Sequence, residues 1–573
     1  MMAGSELQWR KLWPYLVGLF LLALLPRLYS AQTVGWGWDA PRSFTLVNFD
    51  EAGSCRAALQ GFDYSTFIGS QTIAIADLLG VGPAHGISGD ASAVKRYCHS
   101  PQHILIARTY SAVLGALTVV VLALLSLQLL PGEPRVAWTA ALLLAFSGFH
   151  ISESHSGTVD AASVFFIYAF LLWLVISVHK RSGVALALSP LLLAAAVWTK
   201  YWVFAVFSYA ACLPKSLWQF VSDGINPRRL LVLVLAVCVL FGLVTNNAFQ
   251  QARLYPLLAL FYLLVPWQSI RRPMMAFWLL LPLLAYGLTQ IELFAAYTTG
   301  GMAGRFGTGY GAIGWNKWLR NLINVPVVLV VGLGLPACIF LPAGVRAATA
   351  ERGTVRLWLC LLPLLVFALF MAFLAPVTYY RHYLALIPVA ALLAALGFWR
   401  SAAWAGRPLV LWLFLLWPAL LAVDIELDYH RDPRIALRQW YEDRQPERIF
   451  HSFYVNPPAQ GAAHQLFRPE YASGDAAVLR QAQYLILSEN WYDTAFANEL
   501  NGPLTGDLGR LIKTRPDYAL FYRQALSGSH PNLQSEQAMD VRNFMPELVL
   551  HKIFYGTFQT FVGDIKILRI VSD

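Results

Sequence analysis

The sequence predicts a polytopic α-helical membrane protein with about thirteen transmembrane helices and a small α/β domain at its C-terminus. Hydrophobic residues make up 57% of the 573 residues and charged residues only 13%, whereas soluble domains carry about 25% charged residues. Apolar stretches of roughly twenty residues, the length that crosses a bilayer, recur up to about residue 424. Many of the 20 Trp and 25 Tyr residues stand at the ends of these stretches, as in the interfacial belts of membrane proteins.

The apolar stretches give the positions of the predicted spans. The first stretch follows Arg10 and Lys11 and has no small-residue cleavage site after it, so we expect a retained helix rather than a signal peptide. The fifth and sixth stretches are short, so this pair forms either two crossings or one re-entrant hairpin. The predicted spans are 12–32, 102–130, 136–152, 158–178, 184–198, 201–214, 230–248, 254–270, 275–291, 323–344, 357–376, 383–399 and 408–424.

The distribution of Lys and Arg orients these spans. With a cytoplasmic N-terminus every predicted inner loop is basic, and the short outer connections hold few cations. An odd number of spans then places the C-terminal region outside. We therefore expect a bacterial inner-membrane protein with a transmembrane domain at 1–424 and a periplasmic α/β domain at 425–573. The formal net charge of +10 is accounted for by the inner loops, so no nucleic-acid partner is expected.

Two large outer loops and the C-terminal region carry most of the remaining polar sequence. The loops are 33–101 and 292–322, and the second is rich in glycine, which suits a mobile lid. In the C-terminal region the residue pattern predicts a helix over 434–444 and strands over 448–455 and 484–488.

The first outer loop holds two cysteines, Cys55 and Cys98. An oxidising periplasm permits a disulfide bond between them. The alternative is two free buried thiols, and the sequence leaves both open.

Ionisable residues gather near the predicted outer ends of the spans, where a charge close to hydrocarbon marks a candidate site. Asp50 and Glu51 are adjacent in the first outer loop and form either a solvated turn or a site in which a carboxylate takes a proton from a hydroxyl. Asp160 follows His155 at the start of the fourth span. Asp160 either caps that helix or belongs to the same site.

Two cations reach the same predicted face. Lys200 lies between the two short apolar stretches, where it either snorkels to the interface or contacts an anion. Arg381 precedes His382 at the start of the twelfth span, and an aromatic belt explains the neighbouring tyrosines but not the arginine. Carboxylates and cations at one face suit a phosphate-linked donor, because a phosphate leaving group needs cations and a single base. Such a single displacement inverts the anomeric configuration.

These motifs, in this order, resemble those of the membrane glycosyltransferases of the GT-C superfamily, particularly the protein O-mannosyltransferases and bacterial aminoarabinose transferases. The resemblance covers most of the membrane part and the start of the C-terminal region. The matching segments are 50–51, 108–112, 155–160, 198–201, 381–383 with Pro388, and 432–440.

The resemblance implies the GT-C fold and transfer from a polyprenyl-phosphate sugar, similar to an undecaprenyl-phosphate donor, to a glycan, lipid or protein acceptor at the outer face. It implies no certain cofactor, although a divalent metal is compatible with it. By position, Asp50 becomes the base and Glu51 its neighbour. The donor-phosphate contacts become Lys200, Arg381, His382 and Arg305, and the residues that order the site become Asp160, His155 and Arg108.

The sequence departs from the family pattern at two points. Phe49 stands where a proline usually precedes the acidic pair, and Trp491-Tyr492-Asp493 only partly matches the Trp-Trp-Asp motif of oligosaccharyltransferases, so we interpret that string as coincidence. The alternative function is a lipid-linked sugar transporter or flippase without catalysis. Such a protein is expected to carry polar groups near the midplane and internal repeats, and this sequence instead concentrates polarity at one face.

Overall fold

The computed structural model describes most of the N-terminal half of the membrane part, its last spans and most of the C-terminal domain. The described residues are 2–61, 65–180, 315–350, 379–401, 407–452, 474–489, 517–558 and 562–571, with short stretches between them that include 198–200. The predicted spans between 201 and 291, the residue Arg305 and the string 491–493 lie outside the described residues.

The membrane part is built from helices throughout the described ranges. Helix labels here count only described helices. The helices are α1 (Met2–Thr33), α2 (Gly53–Gln60), α3 (Thr66–Leu78), α4 (Ala91–Cys98), α5 (Pro101–Leu129), α6 (Pro134–Ala145), α7 (Gly148–His155), α8 (Asp160–Lys180), α9 (Trp315–Leu333), α10 (Leu335–Ile339), α11 (Leu341–Ala350), α12 (Leu386–Arg400) and α13 (Pro408–His430).

Three stretches of the described chain are long and apolar enough to cross a membrane: Leu12–Thr33, Pro101–Leu129 and Pro408–Arg444. A fourth crossing is formed if α6 and α7, which meet at an angle of 56°, count as one broken span. The predicted third span is therefore not straight. Ser147 starts the second piece, because its hydroxyl accepts a hydrogen bond from the His150 amide at 3.4 Å. The count of thirteen spans remains a prediction.

Among the described residues, a large apolar cluster packs α5, α6, α8 and α12 together. α12 is buried along almost its whole length, from Leu386 to Phe398. The Tyr168 hydroxyl on α8 donates to the Ala385 carbonyl at 2.7 Å and accepts from the Val389 amide at 3.0 Å. These two hydrogen bonds join α8 to the first turn of α12. They therefore fix the position of the residues just before that turn.

The loop 33–101, predicted to lie outside, is a small helical unit and not an extended linker. Its helices α2, α3 and α4 pack around Cys55 and Cys98, which are joined by a disulfide bond with a Cα–Cα distance of 5.7 Å. Gly69 on α3 makes the packing against α2 close, because a Cβ atom there would stand 1.9 Å from the Ser54 carbonyl oxygen. The unit therefore holds the segment around residue 50 in a defined place.

The C-terminal domain is a mixed five-stranded sheet with helices on both faces. The strand order is β2-β1-β3-β5-β4, with β1 parallel to β2 and β3, and β5 antiparallel to β3 and β4. The elements are α14 (Pro433–Arg444), β1 (Arg448–His451), β2 (Ala462–Gln465), α15 (Ala476–Leu479), β3 (Tyr484–Ser488), α16 (Asp517–Ser527), β4 (Leu533–Met539), α17 (Pro546–Tyr555) and β5 (Ile565–Ile570).

β3 is the central strand and is buried on both sides. On one face Ile486 packs with Leu437 and Trp440 of α14, and on the other Leu485 packs with Phe521 of α16. The predicted strand over 484–488 matches β3. The predicted strand over 448–455 is shorter in the structure, because β1 ends at His451.

Hydrogen bonds attach the C-terminal domain to α13. The Asp424 carboxylate accepts from the backbone amides of Phe544 at 2.9 Å and Met545 at 2.7 Å. One helical turn further along, Asp428 accepts from the side-chain amide of Asn543 at 2.9 Å. Because both acceptors lie on one face of a helix at i and i+4, α13 sets the position of the domain.

Candidate functional site

A short 3-10 turn, Phe49–Ala52, carries both Asp50 and Glu51. Asn48 begins the turn, and its side-chain oxygen accepts from the Asp50 amide at 2.9 Å. The Glu51 carboxylate turns back to accept from the amides of Val47 at 3.0 Å and Asn48 at 3.5 Å. This capping arrangement leaves the Asp50 side chain 36% exposed and the Glu51 side chain fully buried.

Glu51 is held in a buried ion pair with Arg108. The guanidinium donates to both carboxylate oxygens, at 2.7 and 2.9 Å, and the Gly157 amide adds a third bond at 3.0 Å. Burial raises the pKa of the Glu51 carboxyl, but Arg108 and the backbone donors outweigh it and hold that pKa below its ordinary value. Arg108 also donates to the Val34 carbonyl at 2.6 Å. The pair therefore ties together four segments: the turn, α5, the end of α1 and the link between α7 and α8.

Four charged side chains form a continuous chain beside this pair. The guanidinium of Arg381 donates to Asp50 at 2.6 Å, and its Nε atom lies 3.9 Å from an oxygen of Asp160. The other oxygen of Asp160 is paired with the ammonium group of Lys200. The sequence predicted these four residues as site members from their separate positions, and the fold brings them together.

Short turns and a helix start carry three members of the chain. Asp50 lies in the 3-10 turn described above, and Asp160 is the first residue of α8. Arg381 lies in a 3-10 turn, Tyr380–Tyr383, that leads into α12, and its guanidinium lies 5.0 Å from the ring centre of Tyr379. Exposure is greatest at the Asp50 end of the chain, at 36% for Asp50 and 16% for Arg381 against 1% for Asp160 and 8% for Lys200. Asp50 is therefore the end that an incoming molecule meets.

Glu153 on α7 is a carboxylate that the sequence analysis did not select. It is half-buried and within electrostatic range of Asp50, Lys200 and Arg381. Its carboxylate makes no hydrogen bond or ion pair with any residue that the structure describes. The sequence feature that could have selected Glu153 is its position in the same predicted outer turn as His155.

The two predicted histidines are buried in the walls of the site. His155 on α7 lies with its Nε2 atom 3.4 Å from Glu426 of α13, and the edge of its ring meets Tyr429. His382 accepts a hydrogen bond from the Tyr379 amide at 3.4 Å, which closes the 3-10 turn that carries Arg381. Glu426 was also not predicted, because nothing in the sequence near residue 426 indicates a distant histidine.

The described residues contain no group of three His, Cys, Asp or Glu side chains placed to hold a metal ion. Along the chain from Asp50 to Lys200, carboxylates instead alternate with cations.

No protein-family model matches the chain, and no curated protein matches it. Among solved structures, the chain is similar to the oligosaccharyltransferase of Archaeoglobus fulgidus in complex with zinc and sulfate. The TM-score is 0.44 and the identity 12%, over 97% of this chain and 88% of that one. It is also similar to ArnT of Cupriavidus metallidurans bound to undecaprenyl phosphate, with a TM-score of 0.43 and 14% identity over 98% of both chains. Both similarities are at low sequence identity.

Proposed function

We propose that the protein is an inverting glycosyltransferase that moves a sugar from a polyprenyl-phosphate donor to a hydroxyl group at the outer face of the membrane. The observation that carries the proposal is the chain from Asp50 through Arg381 and Asp160 to Lys200. It offers an accessible carboxylate next to two cations, at the ends of apolar helices where a lipid-linked phosphate would be presented.

Asp50 is the base in this proposal. Its carboxylate takes the proton of the acceptor hydroxyl as that oxygen attacks the anomeric carbon. The bond between the anomeric carbon and the phosphate oxygen breaks, and its electron pair leaves with the polyprenyl phosphate. One displacement of this kind inverts the anomeric carbon and needs no general acid.

Arg381 and Lys200 hold the phosphate group. Arg381 contacts Asp50 in the structure, so an arriving phosphate would draw the guanidinium toward itself and free the carboxylate to act as a base. Asp160 fixes both cations, since it lies beside each of them. Arg305, outside the described residues, remains a further candidate for the phosphate.

Glu51 and Glu153 have different tasks in this proposal. Both oxygens of Glu51 are occupied by Arg108 and backbone amides, so Glu51 positions the turn that carries Asp50. Glu153 has no such partners among the described residues, so we assign it the orientation of the acceptor hydroxyl.

A transfer assay tests the proposal. Full-length protein in proteoliposomes is given a panel of radiolabelled undecaprenyl-phosphate-linked sugars, with membranes lacking this chain as the source of acceptors. Asp50→Asn is expected to lower the transfer rate by roughly 10²- to 10⁴-fold, the usual contribution of a general base. Asp443→Asn, an exposed carboxylate on α14, is the matched control and should keep the wild-type rate.

The assay separates the alternatives. A full transfer rate in Asp50→Asn together with loss in Glu153→Gln would move the base from Asp50 to Glu153. Donor that crosses the bilayer with its sugar–phosphate bond intact, and with no transfer by the wild-type protein, would indicate the flippase and overturn the proposal.

A further inference from the structure

The helix α17 of the C-terminal domain has the reverse of the usual polarity of a surface helix. Its ionisable residues point inward: Glu547 and His551 are buried, and Lys552 donates to the Asp564 carboxylate at 2.8 Å. Its outer face carries only apolar and aromatic side chains and one proline. The exposed residues are Pro546, Val549, Leu550, Ile553, Phe554 and Tyr555, and Phe544 just before the helix is exposed as well. In water a helix places its polar residues outward, so this face is suited to an apolar medium.

Contacts to α13 give the depth of α17. The Glu547 carboxylate accepts from the Trp417 ring nitrogen at 2.7 Å and from the Leu335 amide at 2.9 Å. Trp417 lies six residues before Val423, the last residue of the apolar part of α13, which corresponds to about 9 Å along the helix axis. The start of α17 therefore lies beside the apolar part of a spanning helix.

Both helices expose large apolar side chains. At the level of Trp417, α13 exposes Leu416, Leu420 and Val423, each at 40% or more. α17 adds Ile553 at 68% and Phe554 at 72%. An apolar surface of this kind on a spanning helix faces lipid chains.

We infer that α17 is embedded in the outer part of the bilayer and that the acyl chains of membrane lipids cover its exposed face. Two observations favour lipid over a protein partner. The helix begins beside the apolar part of α13, and its Glu, His and Lys side chains are turned away from the exposed face.

The embedded helix also supports the site. The ring nitrogen of His551 lies 3.1 Å from the Tyr380 hydroxyl, and the ring of Phe558, which follows the helix, stacks on Tyr380 at 5.3 Å. Tyr380 immediately precedes Arg381. The placement of α17 in lipid does not depend on glycosyl transfer, and it holds whether or not the protein is an enzyme.

Site-directed spin labelling of the full-length protein in proteoliposomes tests the inference. The four cysteines outside the disulfide, Cys212, Cys238, Cys338 and Cys360, are replaced by alanine, and a nitroxide is attached at Phe554→Cys. Leu520→Cys is the matched control, because Leu520 is 57% exposed on α16 of the same domain. Oxygen, which concentrates in lipid, and a water-soluble nickel chelate are the two relaxing agents.

The expected result is an oxygen-to-nickel accessibility ratio several-fold higher at 554 than at 520. Ile553→Cys should give the same answer if labelling at 554 disturbs folding. Equal ratios at 554 and 520 would mean that the face lies in water. Exclusion of both agents from 553 and 554 would mean that a second copy or another protein covers it. Either outcome overturns the inference.

Discussion

Glu51→Gln replaces one oxygen of a fully buried carboxylate with an NH2 group. Each oxygen of Glu51 accepts from Arg108 and from at least one backbone amide, so the new group faces donors in either orientation. The buried guanidinium of Arg108 also loses its counter-charge. Breaking one partner of a buried ion pair costs about 3–5 kcal/mol, which raises the opening equilibrium of the surrounding segment by a factor of roughly 10² to 5 × 10³.

The neighbouring Asp50→Asn is the matched comparison. Asp50 forms its ion pair with Arg381 at the surface, where both side chains are partly exposed. A pair of this kind contributes about 0–1 kcal/mol, because water screens it. Glu51→Gln is therefore expected to destabilise the protein by several kcal/mol more than Asp50→Asn. For catalysis the order is reversed, and Asp50→Asn has the larger effect.

Hydrogen–deuterium exchange read by mass spectrometry gives the measurement, on peptides that contain the amides of Val47 and Gly157. Both amides donate to Glu51. Glu51→Gln should accelerate their exchange by the factor given above, and Asp50→Asn should leave it within a few-fold of the wild-type rate. Equal protection in the two variants would refute the assignment of Glu51 as the structural member of the pair.

Three further predictions concern the same outer loop. Because the folded pKa of Glu51 lies below its ordinary value of 4.5, its contribution to stability is complete above that pH and is lost as the pH falls through the folded pKa, which thermal unfolding between pH 7 and pH 3 can follow. Reduction of the Cys55–Cys98 bond, which spans 43 residues, should lower the stability of the loop by roughly 4 kcal/mol, seen as faster proteolysis of 33–101 than in the oxidised protein. Gly69→Ala should separate α3 from α2, since its Cβ would stand 1.9 Å from the Ser54 carbonyl, and unchanged exchange in both helices would contradict this.

The sequence indicates well those features that depend on local composition. The second predicted span, 102–130, agrees with α5 to within one residue, and the strand over 484–488 agrees with β3. Hydropathy does not register a bend, so the break between α6 and α7 at Ser147 was missed. β4 was missed as well, because four of its seven residues are exposed and its apolar pattern is weak.

The sequence predicts the arrangement of the candidate site less well than it predicts the helices and strands. The charges at the ends of the spans were identified one by one, but their pairing was not, because Asp50 and Arg381 are 331 residues apart. A local sequence pattern does indicate that Asp50 and Glu51 point in opposite directions. Asn48 followed three residues later by a glutamate is the pattern of a capping box, which turns the glutamate back on the turn.

The group of contacts around Arg108 bears on the order in which the parts of the site are synthesised. Its partners Val34, Glu51 and the Glu51-bound amide of Gly157 all belong to the first 157 residues. Arg381 is synthesised more than 200 residues later, and chains emerge N-terminus first. The partners that hold Glu51 are thus all present once the first 157 residues have been made, before the cation that pairs with Asp50 is synthesised.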